Sequence, residues 1–278
     1  MRGLLVLLLA CVVGCGSLET SLHKKHTTQA FVQNCGTTGQ PATKPTILLP
    51  VMHSFMPEND LWMEDSLDLV DSNASQALFN QIIDIGSGLY ADTAKKWNET
   101  LSFSRLWSDP TVNASSWRDG RGSTDVTMYG GMMRRSEVSP LGFALVMCHE
   151  LSHLYGGTPF IDSAMRMSAE GQADWSGAGW CLYNVALKLK DTTPFQTTVF
   201  MDKSCKSDPI CLQELNAANG LGTLLANLGR ERTPNFETPD PLVVSRTELS
   251  YPRTAQCRLD TYLNGVLGLE RPRCWYKP

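Results

Sequence analysis

Residues 139–157 read SPLGFALVMCHELSHLYGG. Ser139 before Pro140 supplies a capping side chain and a proline whose φ already suits a first turn, and Gly156-Gly157 supplies a stop, so the stretch predicts a helix signalled at both ends. Inside it stand His149, Glu150 and His153 in an H-E-x-x-H arrangement. Residues four apart lie one turn above each other, so both imidazoles reach a common point, whereas Glu150 projects about 100° round the axis. Phe143, Leu145, Val146, Met147, Leu151 and Leu154 surround them. Two histidines and a carboxylate in such surroundings are costly to bury without a partner. A zinc ion, one per chain, is the expected partner, held by His149 and His153, with Glu150 placed to act on water rather than to coordinate.

A zinc centre that performs chemistry usually has three protein ligands and one open position. The metzincin pattern His-Glu-x-x-His-x-x-Gly-x-x-His fails, because its last position is Pro159, which cannot ligate. The aspzincin Gly-Thr-x-Asp motif is approached by Gly157-Thr158, but Pro159-Phe160-Ile161 intervene before Asp162, which stays open as an alternative ligand. The strongest candidate is Glu170, seventeen residues beyond His153 in Glu170-Gly171-Gln172-Ala173-Asp174. These residues fall in a second helix expected from about Ser168 to Leu189 and interrupted in character by Gly177 and Gly179. Asp174 lies one turn beyond Glu170 on the same face, where it can accept the N–H of a ligating histidine and fix its tautomer.

Outward from this centre, Leu78, Ile82, Ile85, Leu89 and Trp97 recur at helical spacing and predict a helix from Ser75 to Trp97. Alternation predicts strands at Leu101–Trp107, ending at Asp109-Pro110, and at Asp125–Tyr129, stopping at Gly130-Gly131. A further helix is expected from about Leu212 to Leu228. This order implies a mainly helical α+β domain with a small sheet over residues 46–278. With 278 residues, 42% hydrophobic and 19% charged, one substantial core can be buried, and a net charge of -4 without like-charge runs argues against a nucleic-acid partner.

Met1-Arg2 and the apolar run from Leu4 to Val13 have the form of an export signal and are too short to span a bilayer. Val12-Val13-Gly14-Cys15 resembles the bacterial lipobox, better than Leu9-Ala10-Cys11 does, which implies a signal peptide over residues 1–14 and lipid attachment at Cys15. Gly16 after that cysteine resembles lipoproteins sorted to the outer membrane. Residues 15–45, rich in Ser, Thr, Gln and Gly, read as a flexible tether spanning roughly 30 Å. Of nine cysteines, Cys11 and Cys15 belong to this leader. Bridges Cys205–Cys211 and Cys257–Cys274 are expected from their local spacing, with Cys35, Cys148 and Cys181 unassigned.

Taken in order, several pieces resemble the gluzincin metallopeptidases, within them the family of the CAAX prenyl proteases and the bacterial envelope quality-control proteases. Asp109 through Asn113-Ala114 looks like the family's strand ending in Asn-Ala, and Val126 to Met133 like the strand and glycine turn before its active-site helix. Ala144–His153 is similar to its zinc helix, and Glu170 to Asp174 matches its Glu-x-x-Ala-Asp. Ser250-Tyr251-Pro252 and Arg258-Leu259 resemble its Ser-His-Pro and Arg-Leu, with Tyr251 in the place of the histidine, where it could donate a hydrogen bond instead. The resemblance covers about residues 75–265 and implies a zincin-like (minigluzincin) fold. It also implies a zinc-dependent endopeptidase that acts on polypeptide, including unfolded envelope protein, while the lipobox-like run implies that it is lipid-anchored in the cell envelope, facing the periplasm. His149, His153 and Glu170 would hold the zinc and Glu150 would serve as base. The strand Asp125–Tyr129 is expected to offer a free edge to an extended substrate. A zinc-stabilised scaffold or chaperone-like binder with little or no cleavage is the alternative, and the presence of Glu150 favours the enzyme.

Overall fold

In the computed structural model, which describes residues 51–64 and 75–278, the chain enters as strand β1 (Val51–Ser54) and helix α1 (Gln76–Lys96). Ser75 starts α1, its Oγ accepting from the Leu78 amide at 3.1 Å. The signal segment 1–14, Cys15, the tether 15–45 and Cys35 lie outside the described residues. The buried stripe of α1 is Phe79, Ile82, Ile83, Gly86 and Tyr90; Leu78, Ile85 and Leu89 are only partly buried at its margin. Three strands follow, β2 (Thr100–Leu106), β3 (Ala114–Arg118) and β4 (Ser123–Tyr129), and then a single helical turn, α2 (Gly130–Met133).

The sheet runs β1-β3-β4-β2, with β1 and β4 antiparallel to β3 and β2 parallel to β4. This corrects two expectations. Asn113-Ala114 begins a strand rather than ending one, and β4 is an interior strand with both edges paired. Among the described residues the edge strands are β1 and β2. Strand β3 escapes recognition from sequence because its burial is polar: Ser115, Ser116 and Arg118 are buried alongside Ala114. Arg118 tolerates this through charge and carbonyl partners, lying 3.0 Å from Glu99 and donating to the carbonyls of Met165 and Leu154.

Helix α3 (Pro140–Tyr155) has the expected ends, with Ser139 Oγ accepting from the Gly142 amide at 3.0 Å and Gly156 as C-cap. All of its residues but Tyr155 are buried, so it reads as apolar all round, as a central helix must. After a short hairpin, β5 (Phe160–Asp162) and β6 (Met167–Ser168), come α4 (Glu170–Ser176), a π turn (Gly177–Cys181) and α5 (Leu182–Leu189). The expected interruption at Gly177 and Gly179 is thus a π turn whose Gly179 leaves helical geometry. A Cβ on Gly177 would lie 2.9 Å from the backbone of Cys148 and His149, so glycine allows this segment to approach α3 closely. That approach brings Cys148 and Cys181, unassigned from sequence, into a disulfide. The expected pairs Cys205–Cys211 and Cys257–Cys274 also form.

The remaining helices are α6 (Val199–Cys205), α7 (Pro209–Gly229) and α8 (Ala255–Val266). Asp208-Pro209 caps and opens α7, which extends that helix by a turn beyond the apolar run. The architecture is α+β, and among the described residues no helix is long and apolar enough to cross a membrane.

Glu214 on α7 is 3% exposed and its Oε1 has no hydrogen-bond partner among the described residues. Burial, aided by the charge of Asp208, pushes its carboxyl from an ordinary 4.5 up to about 8. The folded chain keeps this proton to about pH 8, whereas the unfolded chain releases it near 4.5, so stability falls as pH rises through that window. Glu214→Gln should flatten this fall and stabilise the protein at pH 8.5 by on the order of 2–4 kcal/mol. Urea midpoints at pH 5.5 and 8.5 check it; equal slopes in both proteins would remove Glu214 as the cause.

Candidate metal centre

On α3 the four-residue spacing sets the rings of His149 and His153 edge to face, centroids 4.6 Å apart, both fully buried. Each Nδ1 has a dedicated acceptor. His149 Nδ1 lies 2.7 Å from Asp174 Oδ1, and His153 Nδ1 lies 2.8 Å from the Ser168 carbonyl oxygen. Because a carbonyl and an ionised carboxylate only accept, each Nδ1 is assigned a hydrogen, so Nε2 is the atom of each ring left to share a proton or to coordinate a cation. Those two Nε2 atoms face each other at 3.0 Å. Two lone pairs at that distance repel unless a proton or a cation stands between them.

Glu170, the first residue of α4, completes the group. Its Oε2 lies 3.4 Å from His149 Nε2 and 3.6 Å from His153 Nε2, and has no hydrogen-bond partner among the described residues. Donors about 2.0–2.1 Å from a tetrahedral zinc stand about 3.3–3.4 Å from one another. The observed triangle of 3.0, 3.4 and 3.6 Å fits that spacing, and the nitrogen and oxygen donors suit zinc. Burial alone would raise the Glu170 carboxyl, but His153, His149 and His53 around it hold it well below the usual carboxylate range.

Asp174, one turn along α4, sits as expected behind His149 and is itself gripped from α8. Arg258 donates from Nε to Oδ2 at 2.8 Å and from its terminal nitrogen to Oδ1 at 2.7 Å, all of it buried. Against the raising effect of burial, Arg258 and His149 hold the Asp174 carboxyl below its ordinary value. In the metal-free chain burial would lower His149, but Asp174 and Glu170 outweigh it and bring it to about 9.

Glu150 projects from α3 toward β3. Ser116 Oγ on β3 donates to its Oε2 at 2.8 Å, while Oε1 is buried without a partner among the described residues. One Glu150 oxygen and a nitrogen from each of His149 and His153 lie within 4.8 Å of one another. Burial pushes the carboxyl up despite the pull of both histidines. A carboxylate with one oxygen held, one free and a raised affinity for protons is suited to general-base work.

Asp162, the alternative ligand, is spent elsewhere, its Oδ1 accepting from the Met165 amide at 2.8 Å in the β5–β6 hairpin. Tyr251 donates to the Ser54 carbonyl at 2.6 Å, so its hydroxyl holds β1. Sequence reading missed Ser116, the Ser168 carbonyl and His53, which stacks on His153 with centroids 4.9 Å apart. Neither His53 nor Ser116 stands in an alternating or motif-bearing stretch that could have marked it. Comparison with protein families, curated proteins and solved structures returns no match.

Proposed function

We propose that this chain is a zinc-dependent endopeptidase with a zincin-like fold of the gluzincin type. The observation that carries the reading is the convergence of His149 Nε2, His153 Nε2 and Glu170 Oε2 on one point beside a carboxylate with a free oxygen. A bound zinc ion supplies Lewis acidity and brings the pKa of water toward neutrality. His149, His153 and Glu170 hold the ion, and Asp174 and Arg258 keep the His149 ring in the required tautomer and orientation. Glu150 takes a proton from water at Oε1 while Ser116 steadies Oε2, and it later delivers that proton to the leaving amine. The low-dielectric surroundings that raise the Glu150 carboxyl make it a stronger base for this step.

Polypeptide, including unfolded envelope protein, is the proposed substrate, and the outer membrane facing the periplasm is the proposed location, reached through a lipid on Cys15. The lipobox-like run supports the location, and Cys15→Ala should move the protein from the membrane to the soluble fraction; unchanged fractionation would remove the anchor. One observation favours the second reading, a zinc-stabilised binder: every proposed ligand is buried and β1 already occupies the sheet edge beside them. Metal analysis combined with cleavage of an unfolded protein by wild type and Glu150→Gln separates the two. One zinc per chain without any cleavage would favour the binder.

A further inference from the structure

We infer that His53 is a fourth protein donor to this centre, delivered by the edge strand β1. The inference rests on the proposed metal centre and adds to it a closed ground state. Register and burial carry it. β1 pairs antiparallel with β3 so that His53 stands opposite Ser116, the residue that holds Glu150. Alternation along the strand turns Met52 outward, 66% exposed, and His53 inward. Its Nδ1 lies 3.6 Å from Glu170 Oε1, and a ring nitrogen of His53, one of His153 and an oxygen of Glu170 lie within 4.8 Å of one another.

An ordinary core histidine would have partners for both nitrogens. Here Nε2 is buried without a hydrogen bond among the described residues, and the Nδ1 contact exceeds hydrogen-bond length. The strand is also held too firmly for this to be an incidental approach. The Phe55 amide donates to the Ala114 carbonyl at 3.0 Å, and Tyr251 holds the Ser54 carbonyl. Arg258 donates to the Phe55 carbonyl at 2.8 Å with the same guanidinium that grips Asp174. One cation therefore ties the strand bearing His53 to the carboxylate that orients His149. With four protein donors the centre has no open position, and water or a peptide carbonyl enters only when His53 leaves.

The test uses the full chain loaded with zinc or, separately, with cobalt. X-ray absorption of the zinc-loaded wild type should count three imidazoles, and His53→Ala should count two with an added oxygen. In the cobalt forms, acetohydroxamate should bind His53→Ala about tenfold or more tighter than wild type and change its visible spectrum, because the wild type must first release His53. Two imidazoles in zinc-loaded wild type would overturn the inference and leave the three-ligand centre standing. No zinc uptake by wild type would overturn the metal centre and this inference together. The wild-type count stands even if His53→Ala does not fold.

Discussion

Glu150→Gln is expected to bind one zinc per chain and to hydrolyse an unfolded protein at least about 10²–10⁴-fold more slowly than wild type, the range that general acid–base steps typically contribute. Folding should survive for a specific reason. Ser116 Oγ donates to Oε2 at 2.8 Å, and the amide oxygen of glutamine can take that bond. The other carboxylate oxygen is buried without a partner, so replacing a charge by a neutral amide there costs nothing in lost pairing. The three proposed ligands come from other residues and keep their geometry. Wild type and variant share β1 and His53, so the ratio of their rates reports the base and not how often the centre opens. Equal cleavage by the two proteins would eliminate Glu150 as the base.

Glu170→Ala should lower zinc affinity by more than the ~10–100-fold typical of residues that only support a ligand, because it removes a donor itself. Asp162→Ala should leave affinity unchanged, since that carboxylate accepts from Met165 in its hairpin. Competition with a chromogenic chelator measures both. Full occupancy in Glu170→Ala would refute the assignment. Asp174→Ala belongs in the ~10–100-fold range for affinity, with a second effect that neither of the others shares. It leaves the buried Arg258 guanidinium without its carboxylate, and stranding one partner of a buried ion pair costs about 3–5 kcal/mol. Its melting temperature should therefore fall well below that of Glu170→Ala. A variant with lowered affinity and an unchanged melting temperature would mean that Arg258 finds another partner.

What the sequence determined by itself is the part built from neighbours along the chain. Ser139-Pro140 and Gly156 bound α3 because capping and the stop act within a turn, and His149, Glu150 and His153 take their relative directions from the helical period alone. Glu170 and Asp174 share a face for the same reason, and Cys205–Cys211 closes over only six residues. Tertiary structure decided everything that joins distant residues. Arg258 reaches Asp174 across 84 positions and Phe55 across 203, distances at which the chain carries no local trace of the contact. Strand β3 is buried through ion pairs and carbonyl contacts, so it lacks the apolar alternation that marks β2 and β4. Pairing with β3 then made β4 interior and left β1 on the edge, and that register set His53 among the proposed ligands. Where His53 stands relative to the proposed ligands was thus set by strand order, a property that hydrogen bonding between separate segments creates and that no single segment encodes.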